Sequence, residues 1–423
     1  MIGNFSGFEG GGRPIEKIDL RDLDLGRIRR VMRWGLWLFG AILVWTGLNW
    51  AQIFYTDFLW FQSIGHEAVL VKIVTTKVVI FALAVAAFLA LALPNLYVAA
   101  RATDLPPRPG AALQPPDYHF AHKFLVRGAV GVAVLIGLAL AAHPTSQWES
   151  VLLFLNRVPF GQTDPIFGRD FSFLIFTLPA VRLVHGWLIA AVTSVGLIVL
   201  AFHYLTGRLR GEPQFWVGAR TQLAVLLAVF FLLVAVGHWL GRYELLYSPT
   251  GTVFGVGYTD DHVNLPGRAL LTVVAVVTAG FVLAGGVFSR RNRWIVGPVA
   301  IWFVLLLLVG SLAPWLVQRL RVEPAELALE RDYLASNIEF TRNAFGLADL
   351  ESRDHPARGA IEAQTVADNR GTLRNVRLWD EGPLLQSYNQ IQFFRLYYDF
   401  LAVHTDRYTV DGELRQVMLA TRE

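Results

Sequence analysis

The side chains whose types and spacing could do chemistry are Asp164, Asp170, Asp260 and Asp261, with His262 beside the last pair. Carboxylates converging from two loops make the donor set that a hard divalent cation such as calcium takes, and one of them could act as a base or metal ligand in catalysis. The same acids have a structural use. Asp164 precedes Pro165 and is placed to open a turn, and Asp170 is placed to cap a helical segment beginning near Phe171. A second group holds Arg182, His185, His238, Arg242 and Glu244, with His203 further along. All of these fall within about two turns of an expected membrane interface, where snorkelling and packing in an aromatic belt account for them. The chain has no cysteine, which excludes disulfides, thiolate zinc sites and cysteine nucleophiles. No Walker loop, HExxH, GxSxG or dinucleotide fingerprint occurs in a workable context.

The elements that must position these groups belong to a membrane protein. The chain is 54% hydrophobic and only 17% charged, against roughly a quarter charged in soluble domains. A bilayer core of about 30 Å takes roughly 20 mainly apolar residues per helix. Seven such runs lie near residues 34–54, 78–99, 124–142, 183–204, 221–240, 269–288 and 294–317. Lys and Arg are divided unequally between the two sides, seventeen with the N-terminal arm against seven opposite. Cytoplasmic loops retain such an excess. An odd number of spans then puts the N-terminus in the cytoplasm of a bacterial cell (inner membrane) and everything after residue 317 outside. The basic excess is explained by topology, with no nucleic-acid partner required.

Residues 1–33, with Gly10, Gly11 and Gly12, have too little apolar content to fold alone and read as a flexible basic cytoplasmic arm. Residues 34–317 form the transmembrane domain. The stretch 56–66, with Phe58, Leu59, Trp60 and Phe61 together, reads as an interfacial helix or a re-entrant segment. Mid-span polar groups are weak ones, such as Thr46, Thr193, Ser194 and Thr278, which argues against an ion-coupled transporter. Gly280, Gly285 and Gly286 could let helices approach closely. Residues 318–423 read as the start of an α+β extracytoplasmic domain, with a helix from Pro324 to a stop at Gly346 on which Leu327, Leu334, Ile338 and Phe345 recur at helical spacing. A loop over 348–370, a strand over 373–379 and a helix over 384–396 follow. The last unit is a hairpin turning at Asp411-Gly412, a pair that favours the φ > 0 turn.

Several irregular motifs add a resemblance to this reading. They are Phe160-Gly161-Gln162-Thr163-Asp164-Pro165-Ile166-Phe167-Gly168-Arg169-Asp170 with Leu178-Pro179, then Tyr258-Thr259-Asp260 and Val322-Glu323-Pro324. Asn375-Val376-Arg377-Leu378-Trp379-Asp380, Asp406-Arg407-Tyr408 and Arg415-Gln416-Val417-Met418-Leu419 complete the set. In these the chain resembles a large family of bacterial integral membrane proteins catalogued only as an uncharacterised protein family. Members are typically much longer, with a large extracytoplasmic region after the spans, so the resemblance implies that this chain corresponds to the N-terminal part of one. It carries no activity over.

The expected fold class is therefore an α-helical polytopic membrane protein of about seven transmembrane helices, followed by part of an α+β extracytoplasmic domain. The expected partners are the lipid bilayer and envelope proteins or cell-wall components, with the oligomeric state open. Without a catalytic motif, a non-enzymatic role in envelope binding or assembly stands first. An enzyme acting on lipid-linked or cell-wall substrate at the outer leaflet is the alternative, followed by a transporter or channel.

Overall fold

The structure is a computed structural model that describes residues 25–104, 115–210, 217–289, 291–354, 361–392, 394 and 397–423, without the side chains of 25–33, 35, 36, 39, 43, 115, 116 and 217. The arm expected over residues 1–33 lies outside these residues up to residue 24. Two compact units divide after Phe345, the second being Gly346–Glu423.

The first unit is helical. It contains α1 (Leu25–Ser63), α2 (Glu67–Thr103), α3 (Pro115–Ser146), the short α4 (Trp148–Leu155), α5 (Leu178–Leu209), α6 (Val217–Glu244), α7 (Leu265–Val287), α8 (Arg293–Leu307), α9 (Ala313–Val317) and α10 (Glu326–Ala344). Among the described residues six helical stretches are long and apolar enough to cross a membrane, and they contain six of the seven apolar runs. The remaining run, 34–54, lies inside α1. Much of the apolar surface faces outward. Trp37 is 75% exposed and Trp45 70%, and in the most apolar window of 293–344 no residue is buried. Apolar surface on this scale requires lipid or another protein to cover it.

Inside, Phe88, Ala133, Ala191, Val195 and Val199 join α2, α3 and α5 in one core, and Ala224, Phe231, Ala279 and Val282 join α6 to α7 in another. The α6–α7 and α7–α8 contacts depend on missing side chains. A Cβ at Gly286 would run into the Ala224 methyl, and one at Gly285 would lie 2.9 Å from the Trp294 Cβ. Gly280 has open space around it, so only the last two glycines serve close packing.

Four π-helical turns interrupt the helices, at Phe173–Thr177, Asp260–Asn264, Leu308–Leu312 and Gln318–Val322. Each ends two residues before a proline: Pro179, Pro266, Pro314 and Pro324. A helical proline lacks an N–H and crowds the carbonyl four residues earlier, and widening the preceding turn relieves that crowding. Proline alone is not sufficient, because Pro94, Pro144 and Pro298 sit within α-helices without such a turn.

Three sequence expectations need correction. The stretch 56–66 is not a separate interfacial element. α1 runs on through Ser63 because no helix breaker intervenes, and it ends where Gly65 (φ +71°) closes a Schellman turn, with His66 N–H donating to Phe61 O at 2.8 Å and Gly65 N–H to Gln62 O at 3.0 Å. Residues 318–345 do not open the second unit, since α10 is tied to the helical unit by the hydrogen bonds described below. Third, the strand expected over 373–379 is absent. The helices α11 (Ala363–Asp368) and α12 (Arg370–Arg374) occupy part of that region and of the expected 348–370 loop.

In the second unit α13 (Glu381–Gln392) precedes β1 (His404–Val410) and β2 (Glu413–Leu419), which pair antiparallel in the register Val410↔Glu413. Asp411 and Gly412 supply φ of +54° and +81°, so the hairpin turns where expected. The 373–379 segment meets β2 through side chains instead of a ladder. Asn375 Oδ1 accepts the Gln416 N–H at 2.7 Å, and Arg374 Nη1 donates to both Glu413 carboxylate oxygens at 2.9 Å. Those bonds hold the Glu413 carboxyl below the usual carboxylate range.

Candidate functional site: a cavity at one end of the bundle

The irregular motif of the sequence is a loop organised by its two aspartates. Asp164 is 3% exposed. Its Oδ1 accepts the N–H groups of Ile166 at 3.0 Å and Phe167 at 2.6 Å, and its Oδ2 accepts that of Arg169 at 2.8 Å. Asp170 receives the N–H groups of Phe160, Gly161 and Ser172 at 2.8–3.1 Å, the last in the first turn of the helix that follows. Hydrogen bonds from Ser172, side chain then backbone, and from Phe160 hold its carboxyl at about 2. Gly161 and Gly168 turn the chain at φ of +74° and +62°. Six backbone donors with no helix or sheet to satisfy them are thus satisfied by two carboxylates.

The second loop runs over 245–259. Asp260, 1% exposed, accepts the Asn264 amide at 2.7 Å, the Thr250 hydroxyl at 3.2 Å and the Gly257 N–H at 3.4 Å. This loop is fastened to α10 by a stripe of polar residues at helical spacing. Thr252 donates to Glu326 at 2.7 Å, Tyr258 N–H to Glu330 at 3.1 Å, the Tyr333 hydroxyl to Asp261 at 2.8 Å, and Asn337 to Phe254 O at 3.2 Å. Glu330 is 2% exposed, and a Cβ at Gly257 would stand 3.0 Å from both its oxygens. The docked face of α10 is therefore its polar one, and the apolar residues that mark it in the sequence, Leu327, Ile338 and Phe345, are exposed.

Between these parts lies a cavity of about 780 Å³. Ile166, Phe171, Leu174, Val253, Leu329 and Phe340 give it apolar walls, and His262, Asp332 and Ser336 add polar groups. Phe171 meets Phe340 edge to face at 5.8 Å, Phe167 and Phe173 pack on Tyr243, and His262 stacks on Tyr258 at 4.1 Å.

The structure brings Asp164 and His262 to this cavity. Asp170 faces its own loop, Asp260 is spent inside the second loop and Asp261 bonds to Tyr333. Among the described residues no three His, Asp or Glu side chains gather so as to hold a metal ion. Glu330, Tyr333 and Phe340 were missed by sequence reasoning, although Glu326, Glu330, Tyr333 and Asn337 do fall on one helical face.

Of the polar residues near the helix ends, Arg182, His185, Glu244 and His203 form bonds inside the bundle, whereas Arg242 lies over the Trp239 ring at 4.3 Å and His238 packs on Trp302 at 6.2 Å. Arg182 pairs with Glu244 at 2.5 Å and donates to Gly237 O at 3.4 Å, Arg268 lies 3.8 Å from Glu244, and His185 Nε2 stands 2.8 Å from Leu233 O. Gly237 and Gly241 make room for them: a Cβ at either would collide with His185 or Arg268. At the other end His203 meets Gln222 at 2.9 Å, and Gln222 donates to Asn95 O at 2.8 Å.

Comparison with known proteins places this architecture. The family described as "Uncharacterised protein family (UPF0182)" matches over residues 34–423. The chain belongs to UPF0182. UPF0182 proteins similar to it include one from Trichodesmium erythraeum, 42% identical over 293 residues, 68% of this chain and 32% of that protein. Another, from Micrococcus luteus, is 36% identical over 91% of this chain and 37% of its own length. A third, from Cupriavidus necator, is 36% identical over 93% of this chain and 44% of its own. The chain thus spans less than half the length of these relatives. No solved structure matches it.

Proposed function

We propose that this UPF0182 chain is a seven-span protein of the bacterial cell membrane, N-terminus cytoplasmic and residues from Gly346 extracytoplasmic, that binds an amphipathic molecule of the cell envelope. The observation that carries the binding reading is the cavity of about 780 Å³. Its size falls within the roughly 300–1,000 Å³ of small-molecule sites, and its apolar walls with few polar groups fit a ligand with an acyl-like body. Burial contributes about 0.8 kcal/mol per CH₂ of such a body. The excess of Lys and Arg at the opposite end of the helices supports placing the cavity outside.

Binding is favoured over acid–base catalysis by the state of the carboxylates. Asp164 is engaged by three donors of its own loop and Asp260 by three from the second loop and the π-helical turn that follows it, and taking a substrate proton would cost those bonds. The test is titration of the purified full chain with a fluorescent fatty acid. Leu329→Trp and Ser336→Trp, which fill the cavity, are expected to abolish saturable binding, and Leu327→Trp, on the exposed face of α10, to leave it intact. Equal binding by all three variants contradicts the proposal.

A further inference from the structure

We propose a second site, at the opposite end of the bundle, that binds the phosphate of an anionic phospholipid. A pocket of about 310 Å³ lies between the end of α2 and the start of α3, bordered by Arg101, Lys123 and Arg127, with Tyr97 and Val126 on its apolar side. The Arg101 guanidinium stands 4.8 Å from the Tyr97 ring. Among the described residues no carboxylate pairs with any of the three cations. The one acid lining the pocket, Asp104, lies 3.5 Å from His119. Three cations around one concavity attract an anion, and planar guanidinium groups match phosphate oxygens.

The pocket is built and not merely a scatter of basic residues. Tyr118 is fully buried and donates to Thr103 O at 2.7 Å, while Thr103 Oγ1 lies 3.0 Å from His122 Nε2. Phe202 of α5 packs edge-on against His122 at 6.0 Å. These contacts fix the α2 end, which carries Arg101, against the α3 start, which carries Lys123 and Arg127. A lipid is favoured over a free phosphate because the pocket adjoins outward apolar surface: Tyr97 is 57% exposed and Phe124, beside Lys123, is 70% exposed. An acyl chain would lie there while its phosphodiester reached the cations, the arrangement expected of basic pockets between membrane helices. The inference rests on the membrane-spanning reading of α2 and α3 and holds for whichever leaflet this end meets.

The test is native mass spectrometry of the detergent-solubilised full chain titrated with phosphatidylglycerol, phosphatidylcholine or inorganic phosphate. The expected result is a one-to-one adduct with phosphatidylglycerol, weakened about fivefold by Arg127→Gln and about a hundredfold by Arg101→Gln, Lys123→Gln and Arg127→Gln together. The charge-conserving pair Lys123→Arg and Arg127→Lys should retain it. Arg208→Gln with Arg291→Gln, which removes two cations that do not line the pocket, should change affinity less than the single Arg127→Gln. Equal loss in that control, equal binding of phosphatidylcholine, or full competition by inorganic phosphate would each overturn the inference. If the triple variant does not fold, the single variant and the charge-conserving pair still decide it.

Discussion

Replacing Asp164 should open the loop that walls the cavity, and the size of the effect follows from its bonds. Asp164→Ala removes the acceptor of three N–H groups. A buried donor left unsatisfied costs about 1–3 kcal/mol. Ile166 and Phe167 are only partly buried and Arg169 is exposed, so water can reach some of these groups. The net loss is therefore about 2–4 kcal/mol, less than three full penalties. Asp164→Asn keeps one oxygen but turns an amide NH₂ toward a backbone N–H, for a loss of about 1–3 kcal/mol. Since about 1.4 kcal/mol is a factor of ten, the alanine variant should raise the opening equilibrium of the loop about 30- to 1,000-fold. Hydrogen–deuterium exchange of the peptide over 160–172 reads this directly, and the affinity of the cavity for a fatty acid should fall with it. Exchange in the alanine variant within about threefold of the parent chain would refute the reasoning. So would an asparagine variant that loses function with its loop unchanged, the signature of a carboxylate held for chemistry.

Other predictions concern packing and pH. Gly286→Val should separate α6 from α7, destabilising the bundle by about 1–3 kcal/mol, seen as a lower midpoint of thermal aggregation in detergent. Gly257→Ala should push the Glu330 carboxylate off the Tyr258 N–H and raise exchange over 248–262, whereas Gly280→Ala should be neutral. The Asp170 carboxyl, lowered from its ordinary 3.8 to about 2, contributes stability that is present above pH 3.8 and lost as pH falls toward 2. Exchange at Phe160, Gly161 and Ser172, corrected for intrinsic rate, should rise over that interval, and Asp170→Asn should abolish the dependence.

The parts legible in the sequence are those in which local chemistry and tertiary structure agree. Lipid-length apolar runs became helices, Asp411-Gly412 became the hairpin turn, and Gly346 (φ +65°) stands at the end of α10. Asp164 before Pro165 and Asp170 before Phe171 were readable as turn and cap residues because their partners lie within ten positions. What the sequence hid depends on distant contacts. The polar stripe of α10 docks on a loop about 70 residues away, while its apolar stripe, the usual sign of a buried face, points outward. The segment 373–379 has strand-forming residues, but side-chain bonds from Asn375 and Arg374 to β2 replace a ladder. The π turns were readable in principle, since each ends two residues before a proline, but three other prolines show that the signal alone is ambiguous.

The absence of cysteine allows one measurement to test the cavity and its orientation together. Ser336→Cys, at the cavity, and Ser289→Cys, just beyond the far end of α7, would each be exposed in intact cells to a membrane-impermeant thiol reagent, with and without added fatty acid. The account predicts labelling of Ser336→Cys alone and its protection by the fatty acid. Labelling of Ser289→Cys in its place would contradict the orientation, and labelling of Ser336→Cys that the fatty acid leaves unchanged would contradict the cavity as its binding site.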